Sequence, residues 1–337
     1  MVYMDQEEQQ KQFDLIWRRY PEKFNRTSTD WWFFLLLPKQ AGGKLFSDSL
    51  ARLAFWMFLI VSVPVGFHHQ FVDPGVPQSW KYIHAILTYG VALPSLLTAF
   101  TVIASLEYAA RQRGGTGLIG WVRALPWGDP SVAAQLLAGI LFMFGGIGGL
   151  TNASYNVNLV IHNTAWVPGH FHLTVATAVT LSFMGITYWL VPHLSGKQLW
   201  GRKVALVQAW SWFVGMVVFS NAMHMLGLLG APRRTPLGDA PYVPDEWNGH
   251  LLRVSIGGFI LLVSVLSYLL IMYKTVRQPA ADPVDVPEVP IAEARRHPQL
   301  TPVWLDRFKP WLIAAGVLIV LAYGPQLVDQ ILNMNLN

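Results

Sequence analysis

HNTAWVPGHFHLTVATAVTLSFMGITYWLVPH, residues 162–193, contains no Asp, Glu, Lys or Arg, and beyond its first turn it is mostly apolar. A helix crosses the hydrocarbon core of a bilayer in roughly 20 mostly apolar residues. The stretch, taken from 161 to 193, therefore reads as a transmembrane helix. Working outward, six more segments meet the same test, at about 51–71, 79–108, 131–154, 204–229, 250–273 and 310–333. The chain is expected to be an all-α polytopic membrane protein of about seven transmembrane helices.

Composition agrees. The 337 residues are 53% hydrophobic and only 13% charged, where soluble domains carry about a quarter charged residues. Fifteen Trp and eleven Tyr suit the boundary between hydrocarbon and headgroups. The net charge of +5 does not gather on one basic face, so nucleic acid is excluded as a partner and the lipid bilayer is expected instead. Without Cys, disulfides, iron–sulfur ligation and thiolate metal sites are excluded, and any metal must use His or oxygen.

Four regions are expected. Residues 1–30 are polar and lack the basic and apolar regions of a secretory signal. Residues 31–277 form the transmembrane bundle, with Trp31 to Pro38 too short to cross. Residues 278–308 are Pro- and acid-rich and read as a solvated linker. Residues 309–337 carry the last helix. Alternate loops hold Lys39 and Lys44, then Arg111, Arg113 and Arg123, then Lys197, Arg202 and Lys203, then Lys274, Arg277, Arg295 and Arg296. By the positive-inside rule these loops and the linker are cytoplasmic, and the C-terminus faces outward.

Gly145, Gly146, Gly148 and Gly149 lie inside an apolar run and lack the strand-turn-helix setting of a phosphate loop. Close helix packing accounts for them better.

Nine of the ten His fall within or at the ends of predicted spans, where ionisable groups are costly and usually functional. His170 and His172 stand two apart on one helix. At about 100° per residue their rings leave nearly opposite sides, so they cannot share one metal but can serve two centres flanking the helix. Pro168 and Gly169 loosen the preceding turn and free carbonyls to hold ligand nitrogens. His68 and His69 end the first span. Adjacent helical residues diverge by about 100°, and Pro64 and Gly66 supply the irregular backbone that joint ligation needs. Imidazole-only ligation suits copper, zinc or iron. On these residues alone, packing or a polar surface pair stands beside metal binding for both motifs.

His68-His-Gln-Phe, followed further along by His162-Asn-Thr-Ala-Trp-Val-Pro-Gly-His170-Phe-His172, resembles the signature of subunit I of the haem-copper oxidases. The pattern is most similar to the B family, the ba-type cytochrome c oxidases of thermophilic bacteria and archaea. It runs from about Leu37 to Tyr323-Gly-Pro and matches the carboxy-terminal half of that subunit.

The resemblance implies a catalytic subunit that reduces dioxygen to water with electrons from cytochrome c, coupled to proton translocation across the plasma membrane of a prokaryote. It implies copper on His68 and His69, a high-spin a-type haem on His170 and a low-spin haem b on His172. It places Arg233 and Arg234 on haem propionates and His162 near them. It runs a proton path past Ser95, Thr98 and Thr101, a hydroxyl face that otherwise reads as ordinary back-bonding within the helix. The implied partners are the missing amino-terminal half of subunit I, with the third copper His and the second ligand of low-spin haem b, and subunit II with its copper electron-entry site. Asn163 makes a magnesium site beside His162 doubtful, and Asn158 stands where the ba-type pattern has Asp. His84, His193, His224 and His250 receive no role.

Two other readings compete. A nitric oxide reductase shares both His motifs but uses non-haem iron with a nearby Glu, and no Glu lies near His68. A non-catalytic membrane scaffold would need no cofactor.

Overall fold

A computed structural model describes residues 36–62, 65, 69–235, 242–279 and 302–332. His68, the polar residues 1–30 and most of the linker lie outside the described residues. Among those described there is no strand, only one isolated antiparallel bridge between Thr164 and Pro232.

Among the described residues ten α-helices follow in order: α1 (Asp48–Ser62), α2 (Gln78–Gly90), α3 (Ala92–Gln112), α4 (Pro130–Ala153), α5 (Tyr155–Ile161), α6 (Trp166–Leu173), α7 (Thr180–Ser195), α8 (Arg202–Leu228), α9 (Asn248–Arg277) and α10 (Phe308–Leu332). A further short helical stretch covers 36–40. Among the described residues six stretches are long and apolar enough to cross a membrane: Gln78–Gln112, Pro130–Ala153, Trp166–Ser195, Arg202–Leu228, Asp245–Arg277 and Lys309–Asp329. The chain is a multi-pass membrane protein. The segment expected at 51–71 has 15 described helical residues in α1, short of a full span by itself.

Two spans differ in detail from a single smooth helix. The expected span 79–108 is divided at Val91 into α2 and α3. Pro94 sits in the first turn of α3, where its missing N–H leaves the Gly90 carbonyl without the usual bond four residues on. The expected span 161–193 holds a π-helical turn, Thr174–Val179, between α6 and α7.

Helix α4 is the most buried of the six spans. Asp129 caps it, its Oδ1 accepting from Ser131 N at 2.9 Å and Val132 N at 3.1 Å, with Pro130 at the first position. Ala134, Ala138 and Leu141 of α4 pack against Leu181 and Met184 of α7 and Ala209, Trp212 and Met216 of α8. Small residues matter here because lipid is as apolar as the helices, so close backbone approach and dispersion hold the bundle.

The basic loops fall at one end. Arg202 reaches Asp129 at 3.1 Å, Trp200 N donates to Thr275 Oγ1 at 3.1 Å, and Gln40 Nε2 donates to Ser131 Oγ at 3.1 Å. The opposite end carries the loop holding Asp73, helix α5 and residues 229–235.

Candidate haem and metal centre

Helix α6 places its two histidines against different neighbours. The His170 ring, largely buried, lies 6.3 Å from the His69 ring and 6.1 Å from Trp166. A Cβ on Gly148 of α4 would stand 2.7 Å from His170 Nδ1. Gly148 is thus the residue that lets the ring lie against α4. The Gly145 position is equally tight, with Thr174 Cγ2 only 2.5 Å from a Cβ placed there, whereas Gly146 faces open space. The packing expected of the glycine run therefore rests on positions three apart, one face of α4.

The His172 ring turns the other way, 4.7 Å from Phe219 of α8. Its Nδ1 donates to the Pro168 carbonyl at 2.6 Å. That bond fixes the tautomer and leaves Nε2 as the atom with a lone pair for a metal. His224, given no role from sequence, sits beside this helix. Its Nδ1 donates to Ser220 O at 2.7 Å, its ring meets Trp166 edge-on at 4.8 Å, and Ser220 Oγ donates to Gly169 O at 2.7 Å. It braces α6 against α8.

His69 lies near His170 and 4.9 Å from Phe171, while His68 lies outside the described residues. Among the described residues no three His, Asp or Glu converge on one possible metal position. The donor set at His69 and His170 is imidazole only, which fits haem iron or copper and does not fit a carboxylate-bound calcium or magnesium.

A polar cluster caps the end of α6 that lies away from the basic loops. His162 Nε2 donates to Asp73 Oδ1 at 2.8 Å. Arg233 donates from Nε and Nη2 to Asn163 Oδ1 at 3.0 and 2.7 Å, and its backbone N donates to Asn163 O at 2.8 Å. Asn163 and Arg234 both adopt positive φ, 58° and 61°, so this turn is held in an uncommon conformation for non-glycine residues. Burial and the neighbouring Arg234 push the Arg233 guanidinium below its ordinary pKa, and Asp73 opposes the shift. His162, Arg233 and Arg234 are thus brought to one place. Asp73 was missed from sequence, although it follows His69 by only four residues.

The hydroxyl face of α3 divides. Ser95 Oγ donates to Val91 O and Thr101 Oγ1 to Leu97 O, each at 2.8 Å. Thr98 Oγ1 is buried and has no hydrogen-bond partner among the described residues.

Comparison with known proteins identifies the family. Residues 32–260 match the family model described as cytochrome C and quinol oxidase polypeptide I. Cytochrome c oxidase subunit 1 of Thermus thermophilus is 46% identical over 308 residues, 90% of this chain and 55% of that protein. Cytochrome c oxidase polypeptide 1 of Halobacterium salinarum is 27% identical over 259 residues, 74% of this chain and 39% of that one. A solved structure of a heme-copper terminal oxidase dimer superposes with a TM-score of 0.81 at 40% identity, covering 87% of this chain and 53% of that chain. The chain spans about half the length of these relatives. With the family model matching over most of its described helices, the chain belongs to the cytochrome c and quinol oxidase polypeptide I family.

Proposed function

We propose that this chain is the carboxy-terminal half of the catalytic subunit of a ba-type terminal oxidase, which reduces dioxygen to water with electrons from cytochrome c and translocates protons. The observation that carries the reading is the divergence of His170 and His172 from one helix, with His172 Nδ1 held by the Pro168 carbonyl. Two imidazoles on one rigid helix, each facing its own neighbour, suit two separate irons.

In this reading His172 holds a low-spin haem b, His170 a high-spin a-type haem, and His68 with His69 a copper. Bound there, haem iron and copper supply the redox equivalents and the coordination positions that dioxygen reduction requires. The protein supplies the rest. Gly148 and Trp166 fix the His170 ring, and Pro168 fixes the His172 tautomer. Arg233 and Arg234 offer guanidinium donors to haem propionates, with His162 and Asp73 beside them. Thr98, whose Oγ1 is buried and without a hydrogen-bond partner among the described residues, is the hydroxyl on α3 best suited to bond a water in a proton path; Ser95 and Thr101 frame it. The basic end of the bundle faces the cytoplasm of a prokaryote, and the linker 278–308 lies on that side. Subunit II, with a copper electron-entry site, completes the complex.

Metal and haem analysis of the purified complex tests the reading. Copper together with an a-type haem supports it. Non-haem iron with only b-type haem would assign the site to a nitric oxide reductase, and membranes rich in this chain without haem absorbance would assign it to a scaffold.

A further inference from the structure

Helix α6 does not run straight into α7. Six residues, Thr174–Val179, form a π-helical turn that begins two residues after His172, and such turns are rare and found mostly at functional sites. The sequence TVATAV explains what the extra residue achieves. A threonine hydroxyl in an α-helix back-bonds to the carbonyl three or four residues earlier. In α register the residue four beyond His172 is Ala176, which has no hydroxyl. The π register brings Thr177 over that carbonyl instead, and Thr177 Oγ1 donates to His172 O at 2.8 Å. Thr177 is completely buried. Thr174 makes a longer bond, from Oγ1 to His170 O at 3.3 Å. The turn is seated on α4 at Gly145, where a Cβ would stand 2.5 Å from Thr174 Cγ2 and 3.1 Å from Thr174 N.

We propose that Thr177 is a positioning residue for His172: its hydroxyl, delivered by the π turn, pins the His172 carbonyl and so sets the orientation of the imidazole toward its iron. The inference rests on His172 being the axial ligand of the low-spin haem. His172 is held at two points. Its ring is tied backward to Pro168 and its carbonyl forward to Thr177. With both bonds made, the residue can neither tilt its ring nor slide along the helix when the charge on the iron changes. Losing the forward bond lets the turn relax toward α register, and the ring plane then samples a range of orientations.

The experiment compares Thr177→Val, which keeps shape and loses the hydroxyl, with Thr177→Ser, which keeps the hydroxyl, in the haem-loaded complex. Thr177→Val is expected to displace and broaden the low-spin haem absorption band, spread its ferric electron paramagnetic resonance g-values and shift its midpoint potential. The high-spin haem signal should not move, and Thr177→Ser should match the parent. Low-spin spectra in Thr177→Val identical to the parent would overturn the proposal, as would equal shifts in both variants. If Thr177→Val does not accumulate, Thr177→Ala, smaller and equally without hydroxyl, carries the same comparison. His172→Ala is measured alongside. A low-spin haem surviving in that variant refutes the ligand assignment itself, whereas its loss there with an unmoved Thr177→Val spectrum refutes only the role of Thr177.

Discussion

His162 donates a 2.8 Å hydrogen bond to Asp73 across two loops 89 residues apart in sequence, tying the loop that follows the His pair to the turn that precedes α6. The bond is between a largely buried ring and a carboxylate more than one-third exposed, so its worth is modest, about 0.5–1 kcal/mol. Asp73→Ala should lower the thermal midpoint in detergent by a few degrees at most. Asp73→Asn, which retains an acceptor oxygen, should fall nearer the parent. An unchanged midpoint in Asp73→Ala would remove the bond from any account of loop stability.

The ligand assignment makes a spectral prediction. The rings of His170 and His172 take different neighbours, His69 and Phe219. His170→Ala in the assembled complex should therefore abolish the high-spin haem signal and leave low-spin absorbance, and His172→Ala should do the reverse. Equal loss of both haems in each well-folded variant would show that the two rings do not act separately.

Much of this was readable in advance, and the reason is physical. Spans show in sequence because burial in lipid demands some twenty apolar residues in a row. The divergence of His170 and His172 follows from helical geometry alone. The break at Val91 was available too, since Pro94 marks it, but the composition of 79–108 hides it. The π turn had no signal, because TVATAV would be as acceptable in α register. The pairing of His162 with Asp73 and the bracing by His224 depend on how distant loops and helices meet. No local pattern encodes such contacts.

Gly148 offers a test of packing at the site. A Cβ at 2.7 Å from His170 Nδ1 must displace the ring, and overpacking of this kind costs about 1–3 kcal/mol. Gly148→Ala should reduce high-spin haem content sharply. Gly146→Ala, facing open space two residues earlier, should change stability by less than ~1 kcal/mol and leave both haems intact. Normal haem content in Gly148→Ala would mean that α4 yields to accommodate the methyl group.

The proton-path reading now centres on one hydroxyl. Ser95 and Thr101 already donate to their own helix, whereas Thr98 Oγ1 is buried without a partner among the described residues. Leaving a hydroxyl so placed costs about 1–3 kcal/mol unless water bonds it. Thr98→Val should slow turnover several-fold with haem content unchanged, and Ser95→Ala should do less. Full turnover in the Thr98→Val, Ser95→Ala double variant would return α3 to a packing role.

Activity by this chain alone is the most demanding case. Its histidines supply two adjacent candidate ligands for copper, His68 and His69, and one, His172, for a low-spin iron that takes two axial ligands in the family it resembles. Among the described residues no third His, Asp or Glu converges to complete a metal position. Large apolar side chains on the site's own helix, Phe171 and Val175, are exposed, as are Met143, Phe144 and Ile147 on α4. A haem needs apolar walls on both faces to hold its potential and exclude water, and in the proposed reading these exposed side chains would be covered by the first half of the subunit. The Thermus thermophilus relative is nearly twice as long, this chain covering 55% of it. The 337-residue chain expressed alone should therefore consume no oxygen. Co-expression with a polypeptide carrying the first half of the subunit should restore two haem signals and turnover together. Oxygen consumption by the isolated chain, with both haems bound, would refute the prediction and require that these helices, or a second copy of them, close the haem pockets themselves.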